Sequence, residues 1–317
     1  MIDLICCGAI NWDINLFLER LPRTGEEVPV NEIQRVSGGT AANVAVAAAR
    51  LLGEDRVAFI GALGDDGIGE RQLDILSEEG VDHTGVLRVE GEESGQAYIT
   101  IAADGGNEIH TYFGANLVLT RQRLRDPPRL RLIRGAKVAV IMDPPLETAE
   151  ALASLCAESG AKVIWDPGVY AELGVEALSH ILDNVDYFVL NHLEYENLVG
   201  TCEPSEVMEI LGAWNPGLRA IIKRGEEGCI LCSGGGEQAV VEGVPLERLG
   251  RTVVNTVGCG DAFIGAFAAS KVEGSGDLEA LRRGCAAGAF KATRKETRGG
   301  PVTGELDELL AEWESLS

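Results

Sequence analysis

Four residues at the start of the chain's last fifth could together handle phosphate: Gly258, Cys259, Gly260 and Asp261. They follow the β-branched run 251–257 and precede a run of small residues, 262–271. The expected order is strand, tight turn, helix. Glycine at 258 and 260 lets the backbone turn sharply with its N–H groups facing outward. The helix start adds unpaired N–H groups and the positive end of the helix dipole. Together these make a seat for an anion such as phosphate. A carboxylate repels phosphate, so Asp261 at the mouth of that seat needs another use. Taking the proton from a hydroxyl that attacks phosphorus is one. The competing reading is an ordinary turn with Asp261 as helix cap.

The elements that would position such a site follow from the pattern of the whole chain. From Lys137 onward, short apolar runs alternate with helical spacings, which predicts a mostly parallel sheet covered by helices on both faces. Ligands of such sheets bind at the carboxyl ends of the strands. Polar groups stand there repeatedly: Asp13, Asp143, Asp166, Asn191 with Glu194, Lys223 before Gly225 and Gly228, and Asp261. Acids and amides suit a hydroxyl-rich ligand, and oxygen ligands suit Mg²⁺ on a phosphate. Segments 14–18, 28–36, 96–102 and 108–113 read as strands too short and polar for the main sheet. They are expected to form a small separate sheet, with a hairpin turn at 104–107.

Composition narrows the partners. The chain has 317 residues, with 27 basic against 50 acidic and a net charge of −23, so a nucleic-acid backbone is not an expected partner. Hydrophobic residues make up 45%, enough for a large core. No stretch reaches the roughly 18 apolar residues of a membrane helix. The start, Met-Ile-Asp-Leu-Ile-Cys-Cys, reads as a strand and not as a secretory leader. Eight cysteines in this setting are read as reduced thiols of a cytoplasmic protein. The Cys229/Cys232 pair lies in a strand pattern, where residues three apart face opposite ways, so a structural role is expected. The four histidines show no metal-ligand spacing.

Four motifs in order resemble the ribokinase-like, or PfkB, carbohydrate kinase family. They are Gly38-Gly39-Thr40-Ala41-Ala42-Asn43, Gly114-Ala115-Asn116, Asn191-His192-Leu193-Glu194, and Asn255 to Asp261. The resemblance spans nearly the whole chain. It implies a three-layer α/β/α core (1–13, 37–95 and 114–317) and a β-sheet lid (14–36 and 96–113) that closes over the substrate. It implies Asp261 as the base, with the N–H groups of Gly258, Cys259 and Gly260 on the transferring phosphoryl group. Asp13, Gly39, Asn43 and Asp143 would hold the acceptor. Asn191, Lys223, Gly225 and Gly228 would serve the nucleotide, and Glu194 would position Mg²⁺ through water. ATP is the implied donor, and a homodimer through the lid the implied assembly.

Two residues depart from the family pattern. Asn255 replaces the usual first Asp of the last motif, which puts a bound monovalent cation in doubt. Thr40 stands where ribokinases carry Lys, which argues against D-ribose. Segments 166–168 and 191–196 look most like archaeal nucleoside kinases, so the 5′-hydroxyl of a nucleoside is the expected acceptor. The alternatives are a kinase of a free sugar or sugar phosphate, and a non-catalytic nucleotide-binding module. A dehydrogenase would need Gly-x-Gly-x-x-Gly after the first strand, and residues 7–11 do not supply it.

Overall fold

Runs such as Leu-Ile-Cys-Cys-Gly and Val-Ala-Val-Ile-Met have no polar face, so they suit only a sheet covered on both sides. In the computed structural model, which describes residues 1–104, 106–236 and 238–316, these two runs are neighbouring parallel strands. The chain begins with β1 (Leu4–Gly8), β2 (Asn11–Leu18), β3 (Glu32–Gly38), α1 (Thr40–Leu52), β4 (Val57–Ile60) and β5 (Ala62–Gly64). It continues through α2 (Gly67–Glu78), β6 (Val81–Asp82), β7 (Leu87–Val89), β8 (Gln96–Ala102), β9 (Asn107–Tyr112) and α3 (Pro127–Gly135). Then come β10 (Val138–Met142), α4 (Leu146–Ser159), β11 (Lys162–Asp166), α5 (Val175–Leu182), β12 (Tyr187–Asn191), α6 (His192–Val199) and α7 (Pro204–Gly212). The last elements are β13 (Arg219–Lys223), β14 (Cys229–Ser233), β15 (Gln238–Val241), α8 (Cys259–Val272), α9 (Asp277–Ala292) and α10 (Thr303–Glu314).

The main sheet runs β15-β14-β13-β12-β11-β10-β1-β4-β6, parallel except where β14 meets β13 and β15. Alternate strand residues feed separate cores. Leu4, Cys6, Val138 and Val140 pack with α1 and α8, while Ile5, Cys7, Ala139 and Ile141 pack with α4. The three-layer α/β/α arrangement is therefore present as expected. Small residues bring α1 and α8 close: a Cβ on Gly265 would lie 2.7 Å from the Ala47 methyl. Cys229 and Cys232 are both buried and unpaired, and they face the two different cores.

A second sheet runs β3-β2-β8-β9. Its first strand starts at Asn11 and not Ile14, so Asp13 lies within it and pairs in register with Val36. The physical reason is that Ala9 and Ile10 carry β1 almost directly into β2. Gly105 of the expected 104–107 turn lies outside the described residues. A further difference concerns 251–256, which form no strand. Val253 and Val254 are exposed, and the N–H groups of Val254 and Asn255 both donate to Ala292 O. Without a neighbouring strand, β-branched composition does not make one.

Candidate active site

The site begins where β1 crosses into the second sheet. At Gly38 an added Cβ would stand 2.1 Å from Asp13 Oδ2, and at Gly39 (φ +91°) it would stand 2.5 Å from Ile10 Cα. The glycine pair thus lets α1 start hard against β2. One turn into α1, Asn43 meets two partners. Its Nδ2 donates to Asp261 Oδ2 at 2.8 Å, and its Oδ1 accepts from Arg298 Nε at 2.8 Å. A guanidinium only donates, so it fixes the amide with its NH₂ toward the carboxylate. Arg298 also donates to Gly38 O at 3.0 Å, and its Nη1 is buried with no partner among the described residues. Sequence reading missed Arg298, whose only signal was a polar residue before Gly299-Gly300-Pro301.

Three carboxyls converge here with altered acidity. Burial pushes Asp261 up to about 6; the Asn43 bond, Lys223 and Arg298 pull the other way. Asp13 rises to about 7, chiefly from burial, with Arg298 opposing and Asp261 adding. Asp143 also rises to about 7 through burial and the nearby Asp166. Asp143 holds a left-handed backbone (φ 55°), accepts from Thr40 Oγ1 at 2.9 Å, and abuts Gly168, where a Cβ would clash at 2.0 Å. A non-glycine residue in that conformation costs about 1–3 kcal/mol and persists only where surroundings enforce it.

The anion seat forms at the start of α8. Gly258 caps it at φ 86°, and a Cβ there would meet Thr297 O at 2.4 Å. The expectation that Cys259 lends its N–H needs correcting, because that group donates to Thr256 O at 3.2 Å, closing the turn. The backbone N–H groups of Gly258, Gly260 and Asp261 have no partner among the described residues. Lys223, at the end of β13, places its Nζ 3.6 Å from where a Gly260 Cβ would be, and pairs with Asp166 at 2.9 Å.

Asn191 and Glu194 form a reciprocal cap on α6: Asn191 N donates to Glu194 Oε2 at 2.7 Å, and Glu194 N to Asn191 Oδ1 at 2.9 Å. The helix-cap function is thus real for this pair. Burial and Asp166 raise the Glu194 pKa. Among the described residues no group of three or more His, Cys, Asp or Glu side chains is arranged to hold a metal. One capped glutamate beside Asp166 fits Mg²⁺ held mainly by water and phosphate. Gly225 and Gly228 both have positive φ, and Gly228 packs on Val241 O. No hydrogen bond joins that turn to Asp261 among the described residues. Among the same residues, no helix is long and apolar enough to cross a membrane.

A near-neutral carboxylate beside an anion seat has a clear chemical use when hydroxyl-seeking groups face it, namely transfer of a phosphoryl group to an alcohol. The molecule is a phosphotransferase of that class, and comparison with known proteins agrees. The chain belongs to the pfkB family of carbohydrate kinases, whose model matches residues 1–303. A ribokinase of Haemophilus influenzae is 30% identical over 312 residues, covering 97% of this chain and 98% of that one. The structure of Arabidopsis thaliana ribokinase complexed with ribose and ATP superposes with a TM-score of 0.86 at 27% identity, covering 98% and 99% of the two chains. The Methanocaldococcus jannaschii nucleoside kinase has a TM-score of 0.84 at 19% identity, covering 98% and 99%, and shares the fold.

Proposed function

We propose that the chain transfers the γ-phosphoryl group of ATP to a hydroxyl of a free sugar of the ribose class. The carrying observation is Asp261, bonded to Asn43 at 2.8 Å and standing between the anion seat and the carboxyls of Asp13, which is buried, and Asp143, which is half-buried. A carboxylate with a pKa of about 6 is ionised at neutral pH yet basic enough to take a hydroxyl proton as the oxygen attacks. Asp13, Asn43 and Asp143 hold the neighbouring hydroxyls, with Gly38 and Gly39 leaving room for them. The N–H groups of Gly258, Gly260 and Asp261 and the Lys223 ammonium face the charge that builds on the phosphoryl oxygens. Glu194, set by Asn191, would hold Mg²⁺ through water, and the ion when bound neutralises phosphate charge. Gly225 and Gly228 lie beneath the nucleotide, and the small sheet closes over the acceptor to exclude water.

The nucleoside preference read from 166–168 and 191–196 gives way to a free sugar. The ribokinases are the nearer relatives in sequence, whereas the nucleoside kinase at 19% identity speaks for the fold alone. The test is ATP–Mg²⁺ turnover on a panel of pentoses, hexoses, sugar phosphates and nucleosides, with Asp261→Asn as control. Turnover of a free sugar is expected, with loss of about 10²–10⁴-fold in the variant while acceptor still binds. Turnover of nucleosides alone would overturn the acceptor assignment. Near-normal turnover in the variant would remove Asp261 as base.

A further inference from the structure

The family resemblance raises a monovalent cation near residue 255, and the residues there do not fit one. Asn255 brings no charge, and its side chain is already committed. Its Oδ1 accepts from Val257 N at 3.0 Å, and its Nδ2 donates to Lys295 O at 2.8 Å. The main-chain oxygen of Asn255 is occupied as well, by the ammonium of Lys291 at 2.8 Å.

Lys291 is the unusual group. It lies in the last turn of α9, where a basic side chain is ordinarily a solvated complement to the helix dipole. Here it is fully buried, at 0% exposure. It forms no ion pair within 4 Å among the described residues; its partners are two carbonyls, Asn255 O at 2.8 Å and Arg294 O at 3.5 Å. Burying a charge is costly unless dipoles replace its water. Carbonyl oxygens from separate loops are also how proteins hold a bare alkali cation. The two loops joined by this ammonium bracket the anion seat. Residues 254 and 255 lead into it, and segment 293–298 ends in Thr297 O, against which Gly258 is packed, and in Arg298, which holds Asn43.

We propose that Lys291 is a tethered internal cation that replaces a bound monovalent ion, positions the anion seat, and makes the enzyme independent of K⁺. Burial lowers the lysine's pKa, while Cys259, Glu296 and Asp261 around it oppose that shift and favour the charged form. This rests on the kinase reading only for its activity readout; thermal melting tests it separately.

The experiment compares the parent chain with Lys291→Ala and Lys291→Met in choline chloride, with K⁺ or NH₄⁺ added. The parent should turn over acceptor, and melt, identically with and without K⁺. Lys291→Ala opens a cation-sized space beside the two carbonyls. It should lose about 10²-fold in kcat/KM through displacement of the seat, and K⁺ or NH₄⁺ should restore at least 10-fold and raise its melting temperature. Lys291→Met fills that space and should lose activity without rescue. Activation or thermal stabilisation of the parent by K⁺ would overturn the proposal, whether or not the variants fold. Full activity of Lys291→Ala in choline would overturn it too. If the parent phosphorylates no acceptor, the kinase reading fails, and K⁺-dependent melting of Lys291→Ala alone still decides this one.

Discussion

Replacing Asn43 with leucine removes the bond that opposes the effect of burial on the proposed base, Asp261. Leucine is close to asparagine in size and cannot donate. The lost interactions are a 2.8 Å hydrogen bond from Asn43 Nδ2 to a half-buried carboxylate of Asp261 and the bond that Asn43 Oδ1 accepts from Arg298. Hydrogen bonds to charged groups contribute about 1.5–3 kcal/mol. One pKa unit corresponds to about 1.4 kcal/mol, so removal shifts Asp261 by about 1–2 units. The sign follows from which form is bonded. Asn43 stabilises the ionised carboxylate and holds its pKa down, so its loss raises the pKa further above 6. The acid limb of kcat/KM for the acceptor, which reports the base before the acceptor binds, should move up by about 1–2 units relative to the parent chain. The assay is a pH profile of kcat/KM between pH 5 and 9 in the presence of saturating ATP–Mg²⁺. Any loss of acceptor contacts lowers the whole profile without moving its limb. A limb that stays in place, or moves to lower pH, would refute the assignment of Asp261 as a base tuned by Asn43.

Two other perturbations probe different parts of the frame. Gly38→Ala puts a methyl 2.1 Å from Asp13 Oδ2, so the carboxyl or the start of α1 must move. An ångström of misplacement can cost about 10²-fold in rate, and kcat/KM for the acceptor should fall by about that much with the fold retained by circular dichroism. Lys223→Met strands Asp166, whose side chain is 7% exposed, without its partner. Breaking a buried pair costs about 3–5 kcal/mol, read from urea unfolding; the double variant Asp166→Asn/Lys223→Met should regain part of that loss. A single variant as stable as the parent would show the pair contributes nothing.

The parallel sheet was legible because β1, β10 and β12 are continuous apolar runs, and because helical spacing separates them. Short strands such as Ala62–Gly64 and Val81–Asp82 were not, since two or three residues cannot show a period. Val253 and Val254 misled because propensity says nothing about whether a neighbouring strand exists. Asp13 was placed after a strand because only Ala9 and Ile10 separate β1 from β2, and the polar–apolar alternation that marks the second strand is clear only from Ile14 onward. The glycines of the seat and the acids at strand ends could be read because polar groups recur at the carboxyl ends of several strands, where a parallel sheet binds its ligands. Arg298 and Lys291 could not. A charged residue in a loop or a helix's last turn is usually solvated, and only tertiary contact reveals Lys291 as fully buried and Arg298 as half-buried and bonded to Asn43 and Gly38.

The hydrogen bonds that arm Asp261 also have a consequence for how the chain is made. Asn43 and Asp261 are 218 positions apart, and Asn43 and Arg298 are 255 apart. The central strand β1 likewise waits for β10 before both its edges are paired. Contacts of such long range form late, after the loop-closure entropy has been met. During synthesis, the N-terminal third therefore emerges with apolar strands and an alanine-rich helix but without the partners that cover them. Until then its apolar surface and open strand edges favour aggregation. The same delay acts as a safeguard. No nascent fragment ending before Asp261 carries that carboxylate or its bond to Asn43, so the proposed catalytic site is complete only once most of the chain has been made.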